Sequence, residues 1–133
     1  MTLDEKVAQL SCIGRTSEQT WLRNEQGRLD RKELLQRHPD GVGQLGRPSQ
    51  NLPPDESARL TDEFQKAVVE MTRLGIPALF NEEGIHGHMA LGATIYPAAI
   101  ALAATWDVGL VERVYEAVAR EVRARGSNYV YAP

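Results

Sequence analysis

The sequence has 133 residues, 42% of them hydrophobic, which is enough for one domain with a sizeable core. Its 15 basic and 18 acidic residues give a formal net charge of −3, so nothing in the charge balance favours nucleic acid or an anionic membrane as a partner. No apolar run is long enough to span a bilayer, and the N-terminus lacks the basic start and apolar block of a signal peptide. These features leave the localisation undetermined: cytoplasmic if the chain is taken as written, periplasmic or secreted for a longer parent.

The first half of the chain predicts two short helices and one strand. Residues 3–10 favour a helix with Thr2 as its N-cap, and residues 30–38 favour another that Asp30 caps. Residues 11–29 between them show no clear periodicity. The segment GVGQLG, residues 41–46, fits a buried strand, and the proline-rich stretch after it fits a loop.

A long amphipathic helix is predicted over residues 55–74. Asp55 would cap it, and Gly75 sits where a left-handed residue is needed after the last turn. Its apolar stripe consists of Leu60, Phe64, Ala67, Val68, Met71 and Leu74. The continuous apolar run IPALF, residues 76–80, is typical of a strand covered on both faces. Residues 81–93 are then predicted as a polar loop.

The last part of the chain predicts a strand, a helix and another strand. Residues 96–105 begin as a turn or short helix at Pro97 and end in small residues that favour a strand from about position 102. Asp107 would cap the next helix, which ends at Gly126. Its buried stripe would be Leu110, Val111, Val114, Val118 and Val122. Residues 128–132 have strand composition.

Strands separated by helices predict parallel βα units. The spacing of the predicted strands fits a (β/α)8 barrel or a doubly wound sheet. GVGQLG does not complete a dinucleotide-binding glycine pattern, so a nucleotide cofactor is not predicted. A full barrel needs about 250 residues. We therefore expect either an open sheet or the first part of a barrel, whose edge strands would be open to pairing.

Residues 81–89, NEEGIHGHM, hold the densest chemistry of the chain. Glu82 and Glu83 follow a predicted strand at the end where parallel α/β folds carry their active sites. Because neighbouring side chains on an extended segment point to opposite faces, at most one of them should face a barrel mouth. This argues against the pair being the two catalytic carboxylates of a glycosidase, which flank a sugar from separate directions. The alternative is two solvated loop acids.

His86 and His88 are separated by one residue, a spacing used by metal ligands on strands. Together with Glu83 they are three candidate ligands for a metal-dependent hydrolase. The flanking Gly84 and Gly87 instead indicate a turning loop, in which histidines more commonly bond loop carbonyls.

Four further side chains leave two interpretations open. Trp21 and Trp106 could stack on a sugar, although core packing is the commoner role for tryptophan. Arg47 follows the first predicted strand and could bind a polar ligand or be an ordinary loop arginine. Cys12 cannot form an internal disulfide, because it is the single cysteine, and we interpret it as structural.

Six ordered blocks resemble the N-terminal part of glycoside hydrolase family 3, the family of β-glucosidases and β-xylosidases. They are MTLDEKVAQL, GVGQLGRP, LGIPALFNEEGIHG, GATIYPAAIALAATWD, AREVRARG and YVYAP. The resemblance implies an α/β fold, namely about the first four βα units of a (β/α)8 barrel, followed in full-length members by a second α/β domain. It implies retaining hydrolysis of terminal β-linked sugars in oligosaccharides or aryl glycosides, without a metal or organic cofactor.

The family's nucleophile and acid/base lie in later regions, so the resemblance predicts no catalytic residue within residues 1–133 and an inactive isolated chain. One position carries over: Glu83, before Gly84-Ile85-His86-Gly87, matches the acidic residue that holds sugar hydroxyls in the −1 subsite. Many glucosidase-like members have aspartate there, whereas members with glutamate are often xylosidase-like, so the resemblance favours a pentose substrate. His86 matches a loop-supporting histidine. The alternatives are the metal-dependent hydrolase and a half-barrel that binds sugar or assembles with a complementing C-terminal chain.

Overall fold

The computed structural model describes residues 1–14 and 22–132. The elements are helices α1 Leu3–Ala8, α2 Arg31–Arg37, α3 Pro54–Met71, α4 Ala99–Ala103 and α5 Val108–Ala124, and strands β1 Cys12–Ile13, β2 Gln44–Gly46, β3 Leu79–Glu83 and β4 Tyr129–Tyr131. Within this described part of the chain, every helix is too short or too polar to cross a membrane.

The four described strands form one parallel sheet in the order β1-β2-β3-β4. Each strand therefore lies beside its neighbour in the sequence. Helix α2 lies between β1 and β2, α3 between β2 and β3, and the α4–α5 pair between β3 and β4. A doubly wound sheet would reverse its strand order at a switch point, whereas a barrel adds strands in one direction. The predicted α/β class with parallel strands is confirmed, and the order is that of the first strands of a (β/α)8 barrel.

The two faces of the sheet differ in what covers them. Ile13, Leu45 and Phe80 point to the helices and belong to the buried core. Phe80 packs edge-on against Phe64 of α3, with 5.8 Å between the ring centroids. On the other face, hereafter the inner face, apolar side chains stay about half exposed: Leu79 at 47%, Tyr129 at 48% and Tyr131 at 44%.

We expect the isolated 133-residue chain to associate with itself, because its inner face exposes apolar side chains beside open strand edges. Size-exclusion chromatography at micromolar concentration should give multimers, and 1-anilinonaphthalene-8-sulfonate should fluoresce on binding. Replacing Leu79 and Tyr129 by threonine should reduce both signals, whereas Val69→Thr on the outer side of α3 should not. A sharp, reversible thermal transition of a monomer would contradict this expectation.

Three of the four predicted helix caps are confirmed. Thr2 accepts from the backbone N–H of Glu5, and the Glu5 carboxylate accepts from the N–H of Thr2, which completes a capping box. The side chains of Asp30 and Asp107 cap α2 and α5. The prediction for Asp55 is wrong: α3 starts one residue earlier, at Pro54, without a side-chain cap. Proline suits the first turn because its missing N–H needs no partner there.

The strand predictions hold for β2 and β4, and the strand predicted at residues 76–80 exists as β3 with shifted bounds. β1 was not predicted, because a pair of strand residues is too short to show a periodicity. The predicted strand near position 102 is helix α4, in keeping with the high helix propensity of its alanines.

β3 begins at Leu79, three residues later than IPALF suggests, and it includes Glu82 and Glu83. The reason lies in the side chain of Gln65 on α3, which accepts from the N–H of Ala78 and donates to its carbonyl. The backbone polar groups of Ala78 are thereby used, and pairing with β2 starts at Leu79, whose N–H donates to Gly43. The prediction that Glu82 and Glu83 lie in a loop beyond the strand is therefore wrong.

The apolar stripes are confirmed in part. Leu60, Phe64, Ala67 and Val68 of α3 are buried, but Met71 is exposed. In α5 only Val118 and Val122 of the predicted stripe are fully buried.

An ion pair joins α1 to the segment directly after α3. The Glu5 carboxylate accepts from Arg73 Nε at 2.6 Å and from Nη2 at 2.7 Å. Hydrogen bonding from Arg73, followed by that from the Thr2 backbone, lowers the pKa of Glu5 from 4.5 to about 2. Hydrogen bonding to Glu5, together with the charge of its carboxylate, raises the pKa of Arg73.

This pair predicts a pH dependence of stability. Because the pKa of Glu5 is lower in the folded state than in the unfolded state, its stabilisation is present above pH 4.5 and is lost as the pH falls towards 2. Arg73→Met should therefore lower the midpoint of urea unfolding at pH 7 and have progressively less effect below pH 4.5. Arg31→Met, at an exposed position of α2, is the control. A difference between wild type and Arg73→Met that stays constant down to pH 2 would contradict the assignment.

Candidate functional site

The last two residues of β3 are the two glutamates, and strand alternation sends them to opposite faces of the sheet. Glu82 lies on the same side as Phe80 and is fully buried between sheet and helices. Glu83 lies on the inner face with Asn81 and is only partly buried. The prediction that at most one of the pair faces the inner side agrees with this geometry.

Glu82 is the centre of a buried hydrogen-bond network. Its Oε1 accepts from the backbone N–H of Ser49 at 2.8 Å and from Ser127 Oγ at 3.3 Å. Ser57 Oγ on α3 contacts Ser49 Oγ at 2.8 Å and donates to the Arg125 carbonyl at 3.1 Å. The network thus joins the segment after β2, helix α3, strand β3 and the end of α5 directly behind Glu83.

The Glu83 carboxylate is free to bind a ligand. Within residues 1–14 and 22–132, its side chain makes no hydrogen bond or ion pair. The β3–β4 register places Tyr131 beside it, and the Glu83 carbonyl accepts from the N–H of Met89 at 3.1 Å. The strand and the following loop therefore fix the backbone of Glu83 while its carboxylate stays available at the carboxyl end of the sheet.

Polar side chains continue along the inner face from Glu83 towards β1. Asn81 Nδ2 donates to Gln44 Oε1 at 3.0 Å and approaches Cys12 Sγ at 3.9 Å. Cys12 is a free, exposed thiol on β1. This row of side chains connects β1, β2 and β3 across the inner face of the sheet.

The two histidines have different environments. His86 is exposed and contributes through its backbone carbonyl, which accepts from the Tyr96 N–H at 2.8 Å. His88 is the buried histidine of the loop, and its Nε2 lies 3.6 Å from Glu82 Oε2. No three histidine, cysteine or acidic side chains in the described ranges could hold a metal ion together. The hypothesis of a metal site from Glu83, His86 and His88 is therefore wrong, because His88 faces Glu82, on the opposite side of the strand from Glu83.

The loop returns tightly at Gly87. Its φ of +85° is in the left-handed region, and a Cβ there would lie 2.4 Å from the Thr94 carbonyl oxygen. Only glycine fits this position without displacing the chain.

Arg47 lies at the carboxyl end of β2, next to the loop after β3. Its backbone has a φ of +52°, and its N–H donates to the Asn81 carbonyl at 2.7 Å. The side chain lines a cavity of about 480 Å³ together with Gln50, Asn51, His86, His88 and Met89.

The structure describes one of the two tryptophans, Trp106. Trp106 lies between α4 and α5 and is 94% exposed, so the expectation that it packs in the core is wrong for this chain. The strand predicted directly before Trp106 is also wrong, because helix α4 lies there. Trp21 lies outside the described residues.

Comparison with known proteins places these features in a family context. The model of the glycosyl hydrolase family 3 N-terminal domain matches residues 2–133. A candidate beta-xylosidase of Formosa agariphila is 31% identical over 133 residues, covering 100% of the chain and 18% of that protein. A beta-xylosidase of the same organism is 38% identical over 82 residues, covering 53% of the chain and 11% of that protein.

A solved structure agrees with the fold. It is described as a novel beta-glucosidase from Erythrobacter marinus, with a TM-score of 0.82 and 36% sequence identity. The match covers 100% of the chain and 17% of that structure's chain. The chain thus spans less than one fifth of the length of these relatives.

Proposed function

Because the chain belongs to glycosyl hydrolase family 3, as its N-terminal domain, we propose that it forms part of a retaining β-glycosidase. Its substrates would be oligosaccharides or aryl glycosides with a terminal β-linked sugar. Residues 1–133 would be the first part of the barrel domain, and the rest of the barrel and a second domain would supply the catalytic nucleophile and acid/base.

The observation that supports this function is the free carboxylate of Glu83 at the carboxyl end of a parallel strand. Barrel enzymes bind and convert their substrates at that end. A carboxylate accepts charge-assisted hydrogen bonds from sugar hydroxyls, which are stronger than bonds between neutral groups. Glu83 would therefore be a sugar-binding residue of the −1 subsite.

A pentose is the proposed sugar in that subsite. Glutamate is one methylene longer than aspartate, so the carboxylate of Glu83 would reach into space that the hydroxymethyl group of glucose needs. Two of the similar Formosa agariphila proteins carry names of the beta-xylosidase type, which supports the same choice.

Retaining hydrolysis requires a pair of carboxylates about 5 Å from each other across the sugar, and this proposal places neither of them within residues 1–133. Glu82 cannot serve as the second carboxylate, because it is buried on the helix side and already bonded to Ser49 and Ser127. The isolated chain would therefore lack turnover.

The experiment compares two proteins on 4-nitrophenyl β-xyloside and β-glucoside. The first is the 133-residue chain, and the second is the product of the whole reading frame that contains it. We expect hydrolysis by the second protein only, with retention at the anomeric carbon by NMR and a preference for the xyloside. Hydrolysis by the 133-residue chain that Glu83→Gln abolishes would overturn the claim that catalysis lies elsewhere.

The half-exposed inner face favours a second candidate, a complementing polypeptide that completes the barrel. Leu79, Tyr129 and Tyr131 would be covered by that partner. Co-expression with a C-terminal segment of a family 3 glycosidase should yield a soluble complex, and separate monomers would exclude this arrangement.

A further inference from the structure

The cavity lined by Arg47 lies next to the loop that begins with Glu83, on the side of β2. Its volume of about 480 Å³ is large enough for a sugar ring, and it is formed by the segments after β2 and after β3. Glu83 does not line it, so the cavity is separate from the −1 subsite wall that we propose.

Three polar side chains in the wall of this cavity hold buried atoms without a hydrogen-bond partner among the described residues. The atoms are Nε of Arg47, Oε1 of Gln50 and both ring nitrogens of His88. His88 is 1% exposed, so its ring cannot satisfy these atoms in bulk water. These atoms therefore lie behind the cavity surface, and the donors of the wall that a ligand could reach are the terminal guanidinium nitrogens of Arg47.

The formal charge of the wall comes from Arg47. Among the described residues, no acidic side chain lines the cavity. Behind the wall, Glu82 Oε2 lies 3.6 Å from His88 Nε2, while Glu82 Oε1 accepts from Ser49 and Ser127. The Arg47 guanidinium makes one long hydrogen bond, from Nη2 to the Met89 carbonyl at 3.4 Å. Its two terminal nitrogens therefore keep donors available, in the planar fork that matches a carboxylate, whereas Nε is buried.

The backbone of Arg47 is held in an unfavourable conformation beside this cavity. A non-glycine φ of +52° costs free energy, and the bond from its N–H to Asn81 keeps it there. The strained conformation thus occurs where the available guanidinium meets the cavity.

We propose that this cavity binds the leaving-group sugar and selects a sugar that carries a carboxylate, which Arg47 pairs in a bidentate manner. The proposal rests on the proposed glycosidase function. Glu83 would bind the sugar on one side of the scissile bond, and the cavity would bind the leaving-group sugar on the other side.

The test uses the product of the whole reading frame and a matched pair of disaccharides. Both have the glycone sugar that the enzyme prefers, linked β-1,4 either to glucuronic acid or to glucose, which differ at C6 only. Arg47→Met should lower kcat/KM for the glucuronic acid compound at least tenfold, and for the glucose compound and the 4-nitrophenyl glycoside less than threefold. Arg47→Lys should lose less than Arg47→Met, and Arg31→Met on α2 should match wild type.

An equal loss on all three substrates, or no loss on any, would overturn the proposal. Calorimetric binding of free glucuronate and of glucose separates this outcome from a failure of the glycosidase function. Glucuronate should bind at least tenfold more tightly than glucose to wild type, and Arg47→Met should remove that difference. If the protein hydrolyses no glycoside but shows this binding pattern, the cavity assignment stands and the proposed reaction does not. Equal binding of both sugars would overturn the cavity assignment.

Discussion

Replacing Glu82 by alanine is expected to lower the free energy of unfolding by about 3 kcal/mol, because a buried acceptor of several hydrogen bonds is lost. The Ser49 N–H and the Ser127 hydroxyl would lose their carboxylate acceptor, and His88 would lose the polar group that faces its Nε2. A cavity would also remain between sheet and helices, where Glu82 is fully buried.

The measurement is urea unfolding of the protein, followed by far-UV circular dichroism. Glu82→Gln keeps an acceptor oxygen and should cost less, about 1 kcal/mol, so it is the informative variant if Glu82→Ala does not fold. Glu112→Ala, at an exposed position of α5, should change stability by less than about 0.5 kcal/mol. A Glu82→Ala variant as stable as the Glu112→Ala control would show that the buried network does not hold the sheet to α3 and α5.

Helix starts were predictable because their signals are local. Thr2, Asp30 and Asp107 each accept from an N–H three residues further along, so the residue types and their spacing carry the information. The start of β3 was not predictable in this way. It depends on Gln65, which bonds both backbone groups of Ala78 across 13 positions of sequence. An apolar run shows that a segment is buried and does not show where its ladder begins.

The candidate site was predictable to the extent that period-2 alternation separates Glu82 from Glu83. The role of Glu82 was missed, because its partners Ser49 and Ser127 are 33 and 45 positions away. The one available signal is that Glu82 shares a strand face with Phe80. Likewise, the spacing of the histidines suggested that both bind one metal ion. The structure instead exposes His86 and buries His88 against Glu82.

Glu83→Gln is expected to lower kcat/KM of the complete enzyme for its aryl glycoside by about 100-fold, which corresponds to about 2.7 kcal/mol of transition-state binding. The physical reason is that the amide keeps one acceptor oxygen and loses the charge that strengthens bonds from sugar hydroxyls. Steady-state kinetics measures the effect, with Glu112→Gln as the control for a lost surface charge. Because Glu83 would not be the nucleophile, burst kinetics and retention of configuration should persist. Loss of the burst together with rescue by azide would instead assign Glu83 as the nucleophile.

Shortening the same side chain tests its role in choosing the sugar. Glu83→Asp withdraws the carboxylate by one methylene and opens space near C5 of the bound ring. The ratio of kcat/KM for the xyloside to kcat/KM for the glucoside should therefore fall by about tenfold. A change of this size agrees with the roughly 1–3 kcal/mol that one methylene contributes in a pocket. The backbone of Glu83 should not move, because Met89 and the β4 ladder hold it in both forms. If both substrates instead lose activity equally, Glu83 contributes binding without discrimination. The pentose preference would then have to come from residues outside this domain.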